Sequence, residues 1–250
     1  MLRVGDVITP DWPCPANVRA LITTRAGGVS APPFDSFNLG RHPPEEIANA
    51  EENRRRLAAF TGARSAWLAQ VHGARVVRAE EALQSAAPLQ ADASVATSAN
   101  IAATVMVADC LPVLFCDRGG RAVAAAHAGW RGLSGGVLET TVAAMPAKPA
   151  DIMAYLGPAI GPARFQVGDD VRDAFVSHAA TDTRAFSRNP KAPDTWLCDL
   201  YQLARLRLTR VGVTQIYGGG YCTVSEPARF FSYRRDHTTG RMAALVWLTS

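Results

Sequence analysis

The chain has 250 residues, 48% hydrophobic and 19% charged, with 20 Gly and 16 Pro. That balance excludes a disordered or collagen-like polymer, and no apolar run approaches the roughly 18 residues of a bilayer span. The net charge is +4, with 26 Lys and Arg against 22 acids, but the Arg residues form no basic stripe with interleaved aromatics, so neither nucleic acid nor a membrane is expected as a partner.

For a chain of this size the area scaling gives about 10,700 Å² folded against about 38,700 Å² open, enough burial for a core without staples. The five Cys (14, 110, 116, 198, 222) contain no C-x-x-C. An odd number without an export signal argues against a disulfide framework. Asp6 and Asp11 interrupt the first residues, so no secretory signal is expected and the compartment reads as the cytoplasm.

Residues 18–24 read as a strand ended by the Ala26-Gly27-Gly28 turn. Residues 43–62 read as a helix, with Pro and acids first and Gly62 as the stop. Its run Arg54-Arg55-Arg56 follows Glu51-Glu52 and reads as a solvated face. The short apolar runs 65–73, 91–97, 100–110, 112–117 and 121–129 read as buried strands. A helix is expected at 133–145, a strand at 151–157, a helix at 167–179 and a looser segment at 181–195. The clearest helix is 198–212, with Leu200, Leu203, Leu206 and Leu208 as its stripe. The tail segments 214–219, 229–236 and 241–249 are strand-like. Strands and helices mix without regular βαβ alternation, which predicts an α+β layered sandwich in one domain spanning 1–250.

Three apolar runs end in a metal-binding side chain followed by a turn: QVHG (70–73), VADC (107–110) and HAGWRG (127–132). Strand ends are rigid and reach solvent, which suits a site. His72, Cys110 and His127 make an N₂S set that suits zinc and leaves a position for an exchangeable ligand. Read singly, each has a plainer role, as a packed histidine or a small core cysteine. Spacings of 38 and 17 residues do not by themselves bring the three together.

These blocks, with TTRAGGVS (23–30), FNLG (37–40), GPAIGP (157–162), CT (222–223) and FFSYRRD-TTGR (230–241), occur in the order seen in the YfiH-like family. That family is also called laccase-domain or multicopper polyphenol oxidoreductase proteins, and the resemblance runs from about residue 15 to 248. It implies a four-layer α/β/β/α sandwich with mixed sheets and a zinc site at His72, Cys110 and His127, with copper possible in the same place. It implies a purine nucleoside enzyme that phosphorolyses adenosine, inosine, guanosine and methylthioadenosine and deaminates adenosine. It also implies a link to peptidoglycan precursor editing. The chain departs from the family pattern at Gln166, where many members carry Glu, at Ala204, where many carry Asn, and at Ala26, where many carry His.

On this reading the partners are small molecules, a purine nucleoside and phosphate, and a monomer is favoured because no dimer seam is visible. Arg25 and Arg131 are the candidate phosphate clamps, since guanidinium forks fit oxyanions. Asn38 and Gln70 are candidate substrate contacts, with Gln70 sharing the parity of His72. Asp109 beside the cysteine is a candidate for orienting a ligand or taking a proton, and Phe37 or Tyr233 for stacking on the base. The rival readings are three. Cys110 can act as nucleophile with His127 or His72 as base in a hydrolase acting on a peptidoglycan precursor. A copper phenol oxidase needs more histidines than the five present, of which His42, His178 and His237 fall in helical or loop contexts. A structural zinc needs a fourth ligand, for which Cys116, Cys198 and Cys222 are the candidates.

Overall fold

The computed structural model describes residues 2–41 and 47–250. In chain order the elements are β1 (Val7–Ile8), β2 (Val18–Thr23), α1 (Ile47–Thr61), β3 (Arg64–Ala66), β4 (Val76–Arg78), α2 (Ala79–Gln84), β5 (Ala93–Ala96), β6 (Ile101–Val107), β7 (Leu111–Asp117) and β8 (Val123–Ala128). They continue with α3 (Trp130–Ser134), α4 (Val137–Ala144), β9 (Ile152–Leu156), β10 (Gln166–Val167), α5 (Asp169–Val176), β11 (Phe186–Arg188), β12 (Trp196–Cys198), α6 (Leu200–Arg210), β13 (Gln215–Gly218), α7 (Tyr233–Asp236) and β14 (Met242–Leu248).

Period-2 side-chain alternation builds the layers. Along β14, Ala243, Leu245 and Trp247 point one way and pack with Leu57 of α1. Their neighbours Met242, Ala244 and Val246 point the other way and meet Leu114, Cys116 and Ala125 of the facing sheet. On the far side of that second sheet, Val113, Phe115 and Ala126 pack against Leu138, Phe175 and Leu203. Three apolar interfaces between four layers are the α/β/β/α sandwich. One sheet has the order β1-β2-β14-β6-β3 and the other β13-β9-β7-β8-β5-β4, each mixing parallel and antiparallel pairs. The many alanines of β8 let both neighbouring layers approach closely.

The two sheets are joined by the chain between β6 and β7, which leaves one sheet at Val107 and enters the other at Leu111. Antiparallel register does the rest. Pro112 pairs with His127 and Leu111 with Ala128, while Ala93 pairs with Ala126. Residues 92, 110 and 127 therefore come to the same rim. In the other sheet Met242 pairs with Val107, which brings Arg241 to that rim too.

Several expected elements differ. The run 65–73 is a strand only over Arg64–Ala66; beyond it the chain turns, because Gln70 spends its amide on the backbone of β6, donating to Met106 O (2.8 Å) and accepting from Met106 N–H (2.7 Å). The helix at 133–145 is broken at Gly135-Gly136, where Gly136 takes φ 93° and starts α4 anew. The looser segment 181–195 carries a 3₁₀ turn (Ala180–Ala185) and β11, part of a small sheet β10-β12-β11. The strand expected at 229–236 is instead a buried Phe230-Phe231 corner leading into α7. Positions 43–46 of the first predicted helix lie outside the described residues, as does His42. Among the described residues no helix is long and apolar enough to cross a membrane.

Candidate active site

The rim where the sheets meet gathers His72, Cys110 and His127, whose donor atoms lie within 4.8 Å of one another. Each arrives by a different local device. His127 sits inside β8 and is only 3% exposed. Cys110 closes the turn between the sheets, half-buried. His72 lies in an exposed loop at φ 60°, and Asp109 beside the cysteine takes φ 89°. Such conformations in non-glycine residues persist only where surrounding contacts hold them.

Asp92 supplies those contacts for the loop. Its carboxylate, fully buried just before β5, accepts from the N–H groups of His72 (2.9 Å), Val71 (3.1 Å) and Gly73 (2.7 Å). It also accepts from Nδ1–H of His127 at 2.8 Å. One acid thus fixes the loop of the first histidine and the tautomer of the second, leaving Nε2 of His127 to face Cys110. This is the carboxylate–histidine support that metal-binding imidazoles ordinarily have. Asp92 did not stand out in the sequence; the only signal was an acid at the start of an apolar run.

The electrostatics favour a thiolate. Burial alone would push the Cys110 thiol up, but the charge of His127 and hydrogen bonds from His127 and His72 outweigh it and bring it down to about 6. Burial would likewise lower His127, yet Cys110 and Asp92 raise it to about 9. Nε2 of His72 stands 3.9 Å from the sulfur. Space is arranged too, because a Cβ on Gly129 would lie 2.8 Å from Cys110 Sγ and 3.2 Å from His72 Cδ2. Two nitrogens and one thiolate with an oriented imidazole fit a zinc or copper ion, and the residues that would hold it are His72, Cys110 and His127. Among the described residues this is the single group of three or more such donors. Cys116 and Cys198 are buried in the core with thiols pushed up by burial, and neither they nor Cys222 join the group.

Two cavities open on Cys110. The larger, about 520 Å³, is lined by Gln70, Met106, His72, His127 and Tyr233 together with Arg41, Arg54 and Arg241. The smaller, about 130 Å³, is an apolar cleft of Trp130, Ile160, Phe165 and Leu200. Tyr233, 55% exposed, walls both.

The other residues singled out from the sequence fall elsewhere. Arg25 lines a separate depression, where it pairs with Asp35 (3.1 Å), donates to Pro227 O (3.0 Å) and lies over Phe231. Arg131 lies over the ring of Trp130 at 4.3 Å and lines neither cavity. Asn38 and Phe37 are fully buried. Asp109 lines the cleft, but its carboxylate accepts from Thr223 Oγ1 (2.5 Å) and Arg234 N–H (2.6 Å) and so ties the turn to α7. Gln166 accepts from Asn189 Nδ2 (3.1 Å) outside both cavities, and Ala204 is on the buried face of α6 in the core. Arg54, read as a solvated face, lies on the same side of α1 as Ala50 and Leu57, and stacks on Trp67 at 4.1 Å. Its position on that apolar stripe was the signal in the sequence.

Fold and site together define an α/β/β/α sandwich with a histidine–cysteine donor set where its two sheets join. The profile of the family described as multi-copper polyphenol oxidoreductase laccase matches residues 19–249, and the chain belongs to that family. It is 54% identical over 241 residues to a purine nucleoside phosphorylase of Pseudomonas aeruginosa, covering 96% of this chain and 98% of that one. It is 51% identical over 247 residues to the purine nucleoside phosphorylase YfiH of Escherichia coli, covering 98% and 100%. Among solved structures, a Neisseria meningitidis protein superposes with a TM-score of 0.94 at 52% identity, covering 98% of this chain and 100% of that one. YlmD from Geobacillus stearothermophilus gives 0.87 at 31% identity, covering 100% and 98%.

Proposed function

We propose that the chain is a zinc-dependent purine nucleoside enzyme that phosphorolyses adenosine, inosine, guanosine and methylthioadenosine and deaminates adenosine. The observation that carries this is the donor set His72, Cys110 and His127, held by Asp92 and opening on two cavities of different chemistry. The relatives named purine nucleoside phosphorylase, similar over nearly their whole length, support the reaction. Bound there, zinc would act as a Lewis acid toward an oxygen of the reactants.

The chain's own residues do the rest. The apolar cleft seats a flat base against Trp130 and Phe165, with Tyr233 at its edge. Asp92 keeps His127 in one tautomer. Asp109 pins the Cys110 turn to the first turn of α7, which carries Tyr233. Arg25 and Asn38 hold the loops behind the site.

A second reading has a specific observation in its favour. The lowered Cys110 thiol beside a raised His127 is also the starting state of a cysteine nucleophile with its base. Metal analysis of wild type and Cys110→Ala, each assayed with adenosine with and without phosphate, separates the two. About one zinc per chain, lost in the variant together with adenine and inosine formation, is the expected result. Full turnover by folded, metal-free wild type would transfer the assignment to the nucleophile.

A further inference from the structure

The larger cavity holds three arginines the proposed chemistry has not yet used. Arg41, Arg54 and Arg241 line it, and no Asp or Glu does among the described residues. Their placement is built rather than accidental. Arg54 donates through Nε and Nη2 to Leu39 O (3.0 and 2.7 Å) while its guanidinium lies over the Trp67 ring, Cζ 4.1 Å from the centroid. Leu39 N–H in turn donates to Arg241 O at 3.0 Å, so one residue ties both arginines to the same edge. The buried amide of Asn38 completes the tie, with Oδ1 accepting from Arg241 N–H (2.7 Å) and Gly40 N–H (2.9 Å).

Each guanidinium keeps donors for a ligand. Arg241 spends Nη1 on Thr239 O and Gly240 O, both at 3.0 Å. Its Nε and Nη2, and Nη1 of Arg54, donate to nothing among the described residues. Burial, then the neighbouring Arg41, pull Arg54 down to about 10, outweighing the attraction of Glu51. Arg41 is partnered from outside the cavity by Glu51.

We propose that this cavity binds a phosphate-class oxyanion between Arg54 and Arg241, beside Cys110, with Arg41 at its mouth. Guanidinium forks match the oxygens of a tetrahedral dianion, and binding relieves the repulsion between the cations. The proposal rests on the nucleoside reading for its catalytic purpose, as the seat of the attacking phosphate, but the binding itself does not. The same chemistry can come from inorganic phosphate or from the 5′-phosphate of a nucleotide.

The test is calorimetric titration of the metal-loaded protein with inorganic phosphate. Arg54→Gln and Arg241→Gln are expected to weaken binding at least about tenfold each, the scale of a lost charge-assisted contact, and Arg54→Lys less. Arg55→Gln, whose side chain is 71% exposed and paired with Glu52, leaves affinity unchanged. Circular dichroism confirms that each variant is folded. Adenosine and AMP are then added to phosphate-saturated protein. Displacement of phosphate by AMP but not by adenosine supports one shared oxyanion seat; binding of both alongside phosphate supports a seat reserved for the inorganic ion. Absence of millimolar phosphate binding by wild type, or equal affinity in folded Arg54→Gln and Arg241→Gln, overturns the proposal. Phosphate binding lost in those variants without any nucleoside turnover by wild type would keep the oxyanion site and sink the enzymatic reading.

Discussion

Cys110 and Cys116 are six residues apart on one continuous path, yet their surroundings treat them oppositely. Cys116 faces the space between the sheets among Leu114, Ala125 and Val246, and burial there only raises its thiol. Cys110 sits at the rim, where two imidazoles more than offset the same burial. The space between the sheets is mostly apolar, with Ser94 a buried exception, whereas the polar groups of the rim have oriented partners. Asp92, His127 and Asp109 are all buried, and each is held by short bonds to identified groups. Arg54 and Arg55 repeat the contrast on one helix: the first is stacked on Trp67 beside the site, the second pairs with Glu52 in solvent.

The largest expected difference is between the two cysteines. Cys110→Ala abolishes stoichiometric metal and turnover, whereas Cys116→Ala keeps both and changes only the melting temperature; equal metal content in the two variants would erase the distinction between rim and interior. Next comes Asp92→Asn, which removes the charge that orients His127 and the loop of His72. Metal affinity is expected to fall about 10- to 100-fold, measured by competition with a chromophoric chelator.

Gly129→Ala sharpens the comparison at one atom. Its Cβ would crowd Cys110 Sγ at 2.8 Å, whereas Gly220→Ala meets nothing within 4 Å. A several-fold loss of metal affinity is expected for the first and none for the second. Finally, alkylation of the metal-free protein by iodoacetamide should follow the Cys110 thiolate, with a rate that falls as pH drops through about 6 while Cys116 stays unlabelled. The sign for stability follows from the same shift. A thiol held low in the fold adds stability that is complete above its unfolded value near 9.0 and is lost as pH falls through about 6. His127, raised from 6.5, adds stability that is complete below 6.5 and is lost as pH rises through about 9. A rate half-maximal near pH 9 would mean that the imidazoles do not act on the sulfur.

The layered α+β fold was legible in the amino-acid order, because strands buried on both faces read as continuous apolar runs and the leucines of α6 mark a helix, although its buried face carries Leu200, Leu203, Ala204, Arg207 and Leu208 and leaves Leu206 only half-buried. The donor types were legible as well: QVHG, VADC and HAGWRG show their histidines and cysteine plainly. Element boundaries were less so, since the Gln70 amide imitates a strand rung for β6 and the two phenylalanines before α7 look like a strand until a corner buries them. What only the tertiary structure decided is which groups share a rim. That depends on the pairing register of β5, β7 and β8, on the crossing between sheets at Ala108–Cys110, and on one carboxylate, Asp92, reaching two segments at once. It also chose the arginines. A guanidinium's surroundings are set by contacts with residues distant in the chain, so Arg25 and Arg131 were taken up by their own loops, while Arg54 and Arg241 met across Leu39 beside the thiolate.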